Sequence, residues 1–218
     1  SGTQPTNVVI KNGSLKGFDC GILIHSGVKN VMIENVQITD SSVGVACMGK
    51  SGGFDTESVV SVIFDNVRIL GHGSDKRTAL VNLKTLIETT YTYGSNAFMP
   101  LREDPLNSDT VDVYTYSGII ATYTSDIFFM DSCIQGIGYG GYDEGNGART
   151  EGIGIILRNC TRVGMQRSYV DQALSQTKCV GLQIEATNDI ELQDCQFGSN
   201  TSQTQAVGLE LFTAASPD

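Results

Sequence analysis

The chain of 218 residues contains no tryptophan, only two histidines and only four prolines. Its six cysteines form no Cys-x-x-Cys pair. That spacing, with so little histidine, argues against a zinc site or a thioredoxin-like redox motif, and no metal ligand set is assigned. Positive charge is also scarce, with 14 Lys and Arg against 24 Asp and Glu and a formal charge of −10. A nucleic-acid partner is therefore not expected, because phosphate binding needs a basic surface. No apolar run approaches the roughly 20 residues of a membrane-spanning helix, so no membrane insertion is expected. No signal peptide is legible, and Ser1-Gly2 reads as a cloning remnant. No glycine-rich nucleotide-binding motif follows a strand and opens a helix.

What the chain does contain is a repeat. NVVIKNGSL from Asn7 recurs as NVMIENVQI from Asn30, SVIFDNVRI from Ser61, DIFFMDSCI from Asp126, RVGMQRSYV from Arg162 and DIELQDCQF from Asp189. The second, fourth and ninth positions are apolar in every copy. Alternation in runs this short indicates strands with one buried face. The sixth position is Asn12, Asn35, Asn66, Asp131, Arg167 or Asp194, a polar corner in constant register that predicts a stacked side-chain ladder. A second half-unit recurs as Gly21-ILI, Gly44-VAC, Gly118-IIA, Gly154-IIL, Gly181-LQI and Gly208-LEL. One such unit cannot bury its own apolar face and needs copies stacked on it. The expected fold is therefore all-β: a single-stranded parallel solenoid of about six to seven coils, some 30 Å long at strand spacing. The repeat domain spans residues 7–212, with 1–6 as remnant and tail and 213–218 as tail. Insertions of about 50–58, 71–117 and 136–151 should leave on one face.

NGSLKGFDCGILI followed by NVMIENVQI resembles the right-handed parallel β-helix repeats of the pectin-lyase-like superfamily. The resemblance covers nearly the whole chain and implies a right-handed coil. It also implies a carbohydrate-binding or carbohydrate-processing module, in the enzyme case a polysaccharide hydrolase or lyase. The same superfamily includes virus spikes and adhesins, so the alternative is a non-catalytic rod section of a spike, adhesin or virion-associated protein.

Candidate site residues lie in or beside the insertions. Asn107-Ser-Asp109-Thr-Val-Asp112 resembles the NTDxxD segment of polygalacturonases, which implies catalytic roles for Asp109 and Asp112. Residues three apart on a strand face opposite ways, so a bend between them is required if both serve. Gly71-His72-Gly73 resembles that family's GHG, but it precedes the acidic segment instead of following it, and the RIK segment and the lyase RxPxxR pattern are absent. His72, Arg102, Tyr114, Tyr116 and Tyr142 are the candidate substrate-binding residues. Tyrosine stacks on sugars or partners through an apolar face and a polar tip. Tyr91, Tyr93 and Tyr139 belong to the same insertions. The segments 89–95 and 111–117 alternate Thr, Val and Ser with Tyr and read as two strands. No cofactor is implied, apart from a candidate calcium site formed by Asp143, Glu144 and Glu151, whose oxygens in a flexible loop suit that ion.

Partners expected on these grounds are a polysaccharide or a protein, a second copy included. The cysteines read as buried thiols acting as small hydrophobes, with inter-coil disulfides as the alternative. Free thiols fit a reducing compartment, whereas the superfamily resemblance implies an extracellular, virion or cell-surface setting. Neither end shows a capping helix, which points to a piece of a longer protein or to covered ends.

Overall fold

The computed structural model describes residues 4–50, 58–71, 77–90, 101–103, 112–139, 149–198, 200–202 and 204–213. The first two repeats contribute β1 (Thr6–Lys16), β2 (Cys20–His25), β3 (Lys29–Thr39) and β4 (Val43–Met48). The third contributes β5 (Val59–Asp65), β6 (Arg68–Leu70), helix α1 (Arg77–Thr90), β7 (Leu101–Glu103) and β8 (Asp112–Thr122). The fourth holds β9 (Thr124–Met130), β10 (Cys133–Gln135), β11 (Gly138–Tyr139) and β12 (Arg149–Arg158). The fifth holds β13 (Thr161–Gln166), β14 (Tyr169–Asp171), β15 (Leu174–Ser175) and β16 (Lys178–Glu185). The sixth holds β17 (Asn188–Gln193), β18 (Gln196–Gly198), β19 (Thr201–Ser202) and β20 (Gln205–Phe212).

Equivalent strands of successive repeats pair in parallel. Val8, Val31, Val62, Ile127, Val163 and Ile190 are partners in turn across one sheet. Ile22, Val45, Ile119, Ile155, Leu182 and Leu209 are partners in turn across a second sheet. β11, β15 and β19 form a third, short sheet. The result is an all-β chain of long parallel sheets, an arrangement compatible with a β-helix or solenoid. Side chains at alternate positions meet between the sheets. Val31, Ile33, Val36 and Ile38 are buried, and Phe64 stacks on Phe129 at 4.8 Å between ring centroids.

The corners explain the polar positions. Asn12, Asn35, Asn66, Asp131, Arg167 and Asp194 all take the left-handed backbone conformation, with φ between 44° and 57°. So do the opening residues Asn7, Asn30, Ser61, Asp126, Arg162 and Asp189. Asparagine tolerates that region better than most residues, and its amide compensates by bonding along the stack. Asn30 Nδ2 donates to Asn7 Oδ1 at 3.0 Å, and Asn66 Nδ2 donates to Asn35 Oδ1 at 2.7 Å. In the fourth and fifth repeats the rung becomes ionic. Arg167 grips both oxygens of Asp131 at 2.7 and 2.8 Å, and Arg162 likewise grips Asp126. These hydrogen bonds, aided by the guanidinium charge, hold both carboxyls below the ordinary carboxylate range.

The repeated glycines mark close approach between the sheets. A Cβ on Gly44 would stand 2.5 Å from Gly118 O and 2.7 Å from Ile69 Cγ2. A side chain there would push the second sheet off the first.

All six cysteines are free thiols, and four are buried. Burial pushes Cys20 and Cys160 up to about 12 and raises Cys47 as well.

One expectation needs correction. Of the two strands read in the third-repeat insertion, residues 112–117 are strand within β8, but Thr89 and Thr90 end helix α1. Ala79, Leu80 and Leu83 are buried while Val81 and Asn82 are exposed, the pattern of an amphipathic helix laid on a sheet. α1 packs on β7 and β8. Residues 91–95 lie outside the described residues.

Candidate functional site

Both large insertions return into the same sheet at adjacent strands. β8 follows the 71–117 insertion and β12 follows 136–151, and the two pair with each other. Each is elongated at its start: β8 has 11 residues and β12 has 10, against 6 in β4 and 8 in β16. The overhang is widened by β7, which pairs antiparallel with β8.

Register then sets the residues in rows. Glu103 stands opposite Asp112. Arg102, Val113 and Arg149 form the next row, so two arginine positions flank one valine. Leu101, Tyr114 and Thr150 follow, then Thr115, Glu151 and Lys178. Adjacent strands lie about 4.8 Å apart, so each row spans about 10 Å.

Beneath the mouth the packing is polar. Thr115, Thr150, Glu151, Ser175 and Gln176 are all buried. Thr115 Oγ1 donates to Glu151 Oε2 at 3.2 Å, and the Gln176 backbone N–H donates to Thr150 Oγ1 at 3.2 Å. Gln176 Nε2 is buried and finds no hydrogen-bond partner among the described residues. Cys179 Sγ donates to Ser175 Oγ at 3.2 Å, and burial, with the Glu151 charge adding to it, raises that thiol. Lys178 Nζ reaches Glu210 at 2.7 Å and lies over the Phe212 ring.

The residues singled out from the sequence divide into three groups. Asp112, Arg102 and Tyr114 come together on β7 and β8, as the rows show. Asp109, His72 and Tyr142 lie outside the described residues, as do Asp143 and Glu144 of the candidate calcium site. Tyr116 is fully buried in the core, so in this conformation its ring packs instead of facing a ligand. β8 runs without a break from the insertion into the repeat strand, which carries Tyr116 into the core cluster. Glu151 is buried and bonded to Thr115. Among the described residues no group of three or more His, Cys, Asp or Glu is placed to hold a metal ion.

Sequence reasoning missed Arg149, Glu103 and Gln176. The available signal was positional: Arg149-Thr150-Glu151 precedes Gly154 at the spacing that Val113-Tyr114-Thr115 precedes Gly118. No protein-family model matches the chain, and no curated protein does. A functional reading therefore rests on the geometry of this mouth.

Proposed function

We propose that the chain is a right-handed parallel β-helix of about six to seven coils, of the pectin-lyase-like kind, and that it is a carbohydrate-binding module. Its mouth is the overhang of β7, β8 and β12. The observation that supports this most is the convergence of both insertions on two paired, elongated strands. Loops set on a rigid sheet are where binding residues concentrate. Arg102 and Arg149 on either side of Val113 favour a sugar bearing a carboxylate, since guanidinium groups pair with carboxylates through two parallel bonds. Tyr114 stands in the adjacent row, and so on the opposite face of the sheet from the two arginine positions. Glu103 and Asp112 are register partners across β7 and β8, and acid–base cleavage of a glycosidic bond at this mouth would draw on two such acidic residues. The second reading, a non-catalytic interaction rod, is favoured by exposed apolar side chains on the outer face of the first sheet, where Val9 is 57% and Phe128 44% exposed.

The test is affinity electrophoresis through gels containing polygalacturonate or a neutral galactan. Retardation in the polyuronate gel is expected, with at least tenfold weaker binding for Arg102→Ala combined with Arg149→Ala. Glu103→Gln with Asp112→Asn should leave retardation intact and abolish any release of reducing ends. Absence of retardation by every polysaccharide would reject the sugar reading in favour of the rod.

A further inference from the structure

A cleft of about 420 Å³ opens between the first repeat and helix α1, lined by Phe18, Asp19, Cys20, Leu23, Asn82 and Leu83, among others. It begins where a column of the second sheet loses its cover. Leu23, Ala46, Ile120 and Ile156 are partners in turn across β2, β4, β8 and β12. Ala46, Ile120 and Ile156 are buried, whereas Leu23 is only half-buried and faces the cleft. Leu83, a buried residue of α1, supplies apolar wall from the helix side.

Two residues of the cleft are not required by the repeat. The register of β2 on β4 sets Phe18 and Asp19 against Ser41 and Ser42 of the next repeat. Serine therefore suffices at that corner, and the first repeat carries a ring and a carboxylate instead. Phe18 is 50% exposed. Asn82 Nδ2 donates to Asp19 Oδ2 at 3.2 Å, which ties α1 to the first repeat across the cleft and leaves Asp19 Oδ1 to a ligand. Cys20 Sγ donates to Ile22 O at 3.3 Å, and burial pushes that thiol up to about 12, so it is a neutral part of the wall. Lys16 and Lys84 adjoin lining residues in sequence but do not line the cleft. Asp19 is thus the one charged group among its lining residues.

We infer that this cleft binds a small organic cation, an aromatic or branched aliphatic amine whose ammonium group meets Asp19 and whose apolar body lies among Phe18, Leu23 and Leu83. The volume falls in the range of small-molecule sites, roughly 300–1,000 Å³, and apolar walls with a few fixed polar groups are their usual composition. Release of water from the apolar walls drives binding of the body. The carboxylate selects the head, because an anionic ligand would meet a like charge there. The formal charge of −10 adds a longer-range attraction for cations. The Asp19–Asn82 bond is already made in the empty cleft, so that little ordering opposes binding. This inference does not depend on the sugar reading, since the cleft shares no lining residue with the rows of the β7–β8–β12 mouth.

The experiment is titration of the isotope-labelled full chain with phenethylamine, phenethyl alcohol and phenylpropionate, followed by amide NMR. Phenethylamine is expected to shift the amides of Phe18, Leu23 and Asn82 saturably, with a dissociation constant at or below ~1 mM. Phenethyl alcohol should bind severalfold more weakly, phenylpropionate more weakly still, and the preference for the amine should shrink in high salt. Asp19→Asn should bring the amine and the alcohol to equal affinity, because the amide keeps the shape of the site and removes its charge. Phe18→Ala should weaken both. Val81→Ala, at an exposed position of α1 outside the cleft, should change neither. The amide spectrum of each variant checks that the fold is kept. No saturable shift at these amides with any of the three probes, equal binding of amine and alcohol to the parent chain, or an amine preference that survives Asp19→Asn overturns the assignment. Retardation in polyuronate gels is read separately and tests the mouth alone.

Discussion

Replacing Gly154 by alanine tests the close approach of the two sheets directly. A Cβ at this position overlaps Val170 Cγ1 and stands 2.6 Å from Gly181 O. The valine can turn, at about 0.5–1.5 kcal/mol for leaving its preferred rotamer. The carbonyl cannot, because it belongs to the backbone of the next strand in the ladder. Overpacking of this kind costs about 1–3 kcal/mol. Together these give roughly 3 kcal/mol, and at 2–4 °C per kcal/mol for a chain of this size the melting temperature should fall by about 6–12 °C. Gly13→Ala is the control, because nothing lies within 4 Å of its added methyl. There the reduced freedom of the unfolded chain should leave stability unchanged or raise it by up to about 1 kcal/mol. Thermal and urea melts followed by circular dichroism read both. Val170→Ala added to Gly154→Ala should not restore the lost stability, since the carbonyl contact remains. Equal melting temperatures for the two single alanine variants would refute the argument that the glycine column is set by close contact with the facing sheet and with the next strand's carbonyl.

Ile33→Asp should unfold the chain, because Ile33 has no exposed surface and a buried unpaired charge is costly, whereas Glu34→Ala should change the melting temperature little. Equal tolerance in thermal melts would invert the assignment of faces. A thiol reagent at pH 8 should label the native protein slowly, because burial raises Cys20, Cys47 and Cys160, and should label all six cysteines in denaturant; a denatured count near zero would mean disulfides. Arg162 and Arg167 depress Asp126 and Asp131, so those rungs stabilise the fold fully above about pH 4 and lose their contribution as pH falls through the depressed values. Melts between pH 5 and pH 2 should therefore fall less steeply for Arg162→Gln with Arg167→Gln than for the parent chain.

The repeat was legible because a pleated strand must turn every second side chain the same way. Six copies written in that code leave little freedom, and Val8 through Ile190 pair as the shared positions require. The polar corner was legible for a related reason, since a backbone conformation with few tolerated residue types repeats its chemistry. α1 was hidden by threonine and tyrosine, which favour strands, although Ala79, Leu80 and Leu83 carried a helical period. β7 could not be found from sequence, because three residues carry no period and its antiparallel pairing depends on where β8 begins. The burial of Tyr116 was equally out of reach. Its neighbours in the core cluster come from many repeats, and only three-dimensional packing brings them together. The convergence of the insertions was foreseeable from their positions in successive repeats.

The change of corner chemistry along the stack bears on how such a chain can be lengthened or shuffled. An amide both gives and takes a hydrogen bond, so a repeat with asparagine at its corners can sit beside any other like it. Duplicating the repeat that begins at Asn30 would simply add another amide rung between Asn7 and the rest. The fourth and fifth repeats have no such freedom. Arg162 stands between Asp126 and Asp189, and Arg167 between Asp131 and Asp194. Exchanging those two repeats would bring Asp126 beside Asp189 and Asp131 beside Asp194, two pairs of carboxylates in adjacent rungs. The amide rungs are thus a joint open to recombination, and the ionic rungs are a keyed joint that fixes the order of the repeats around them.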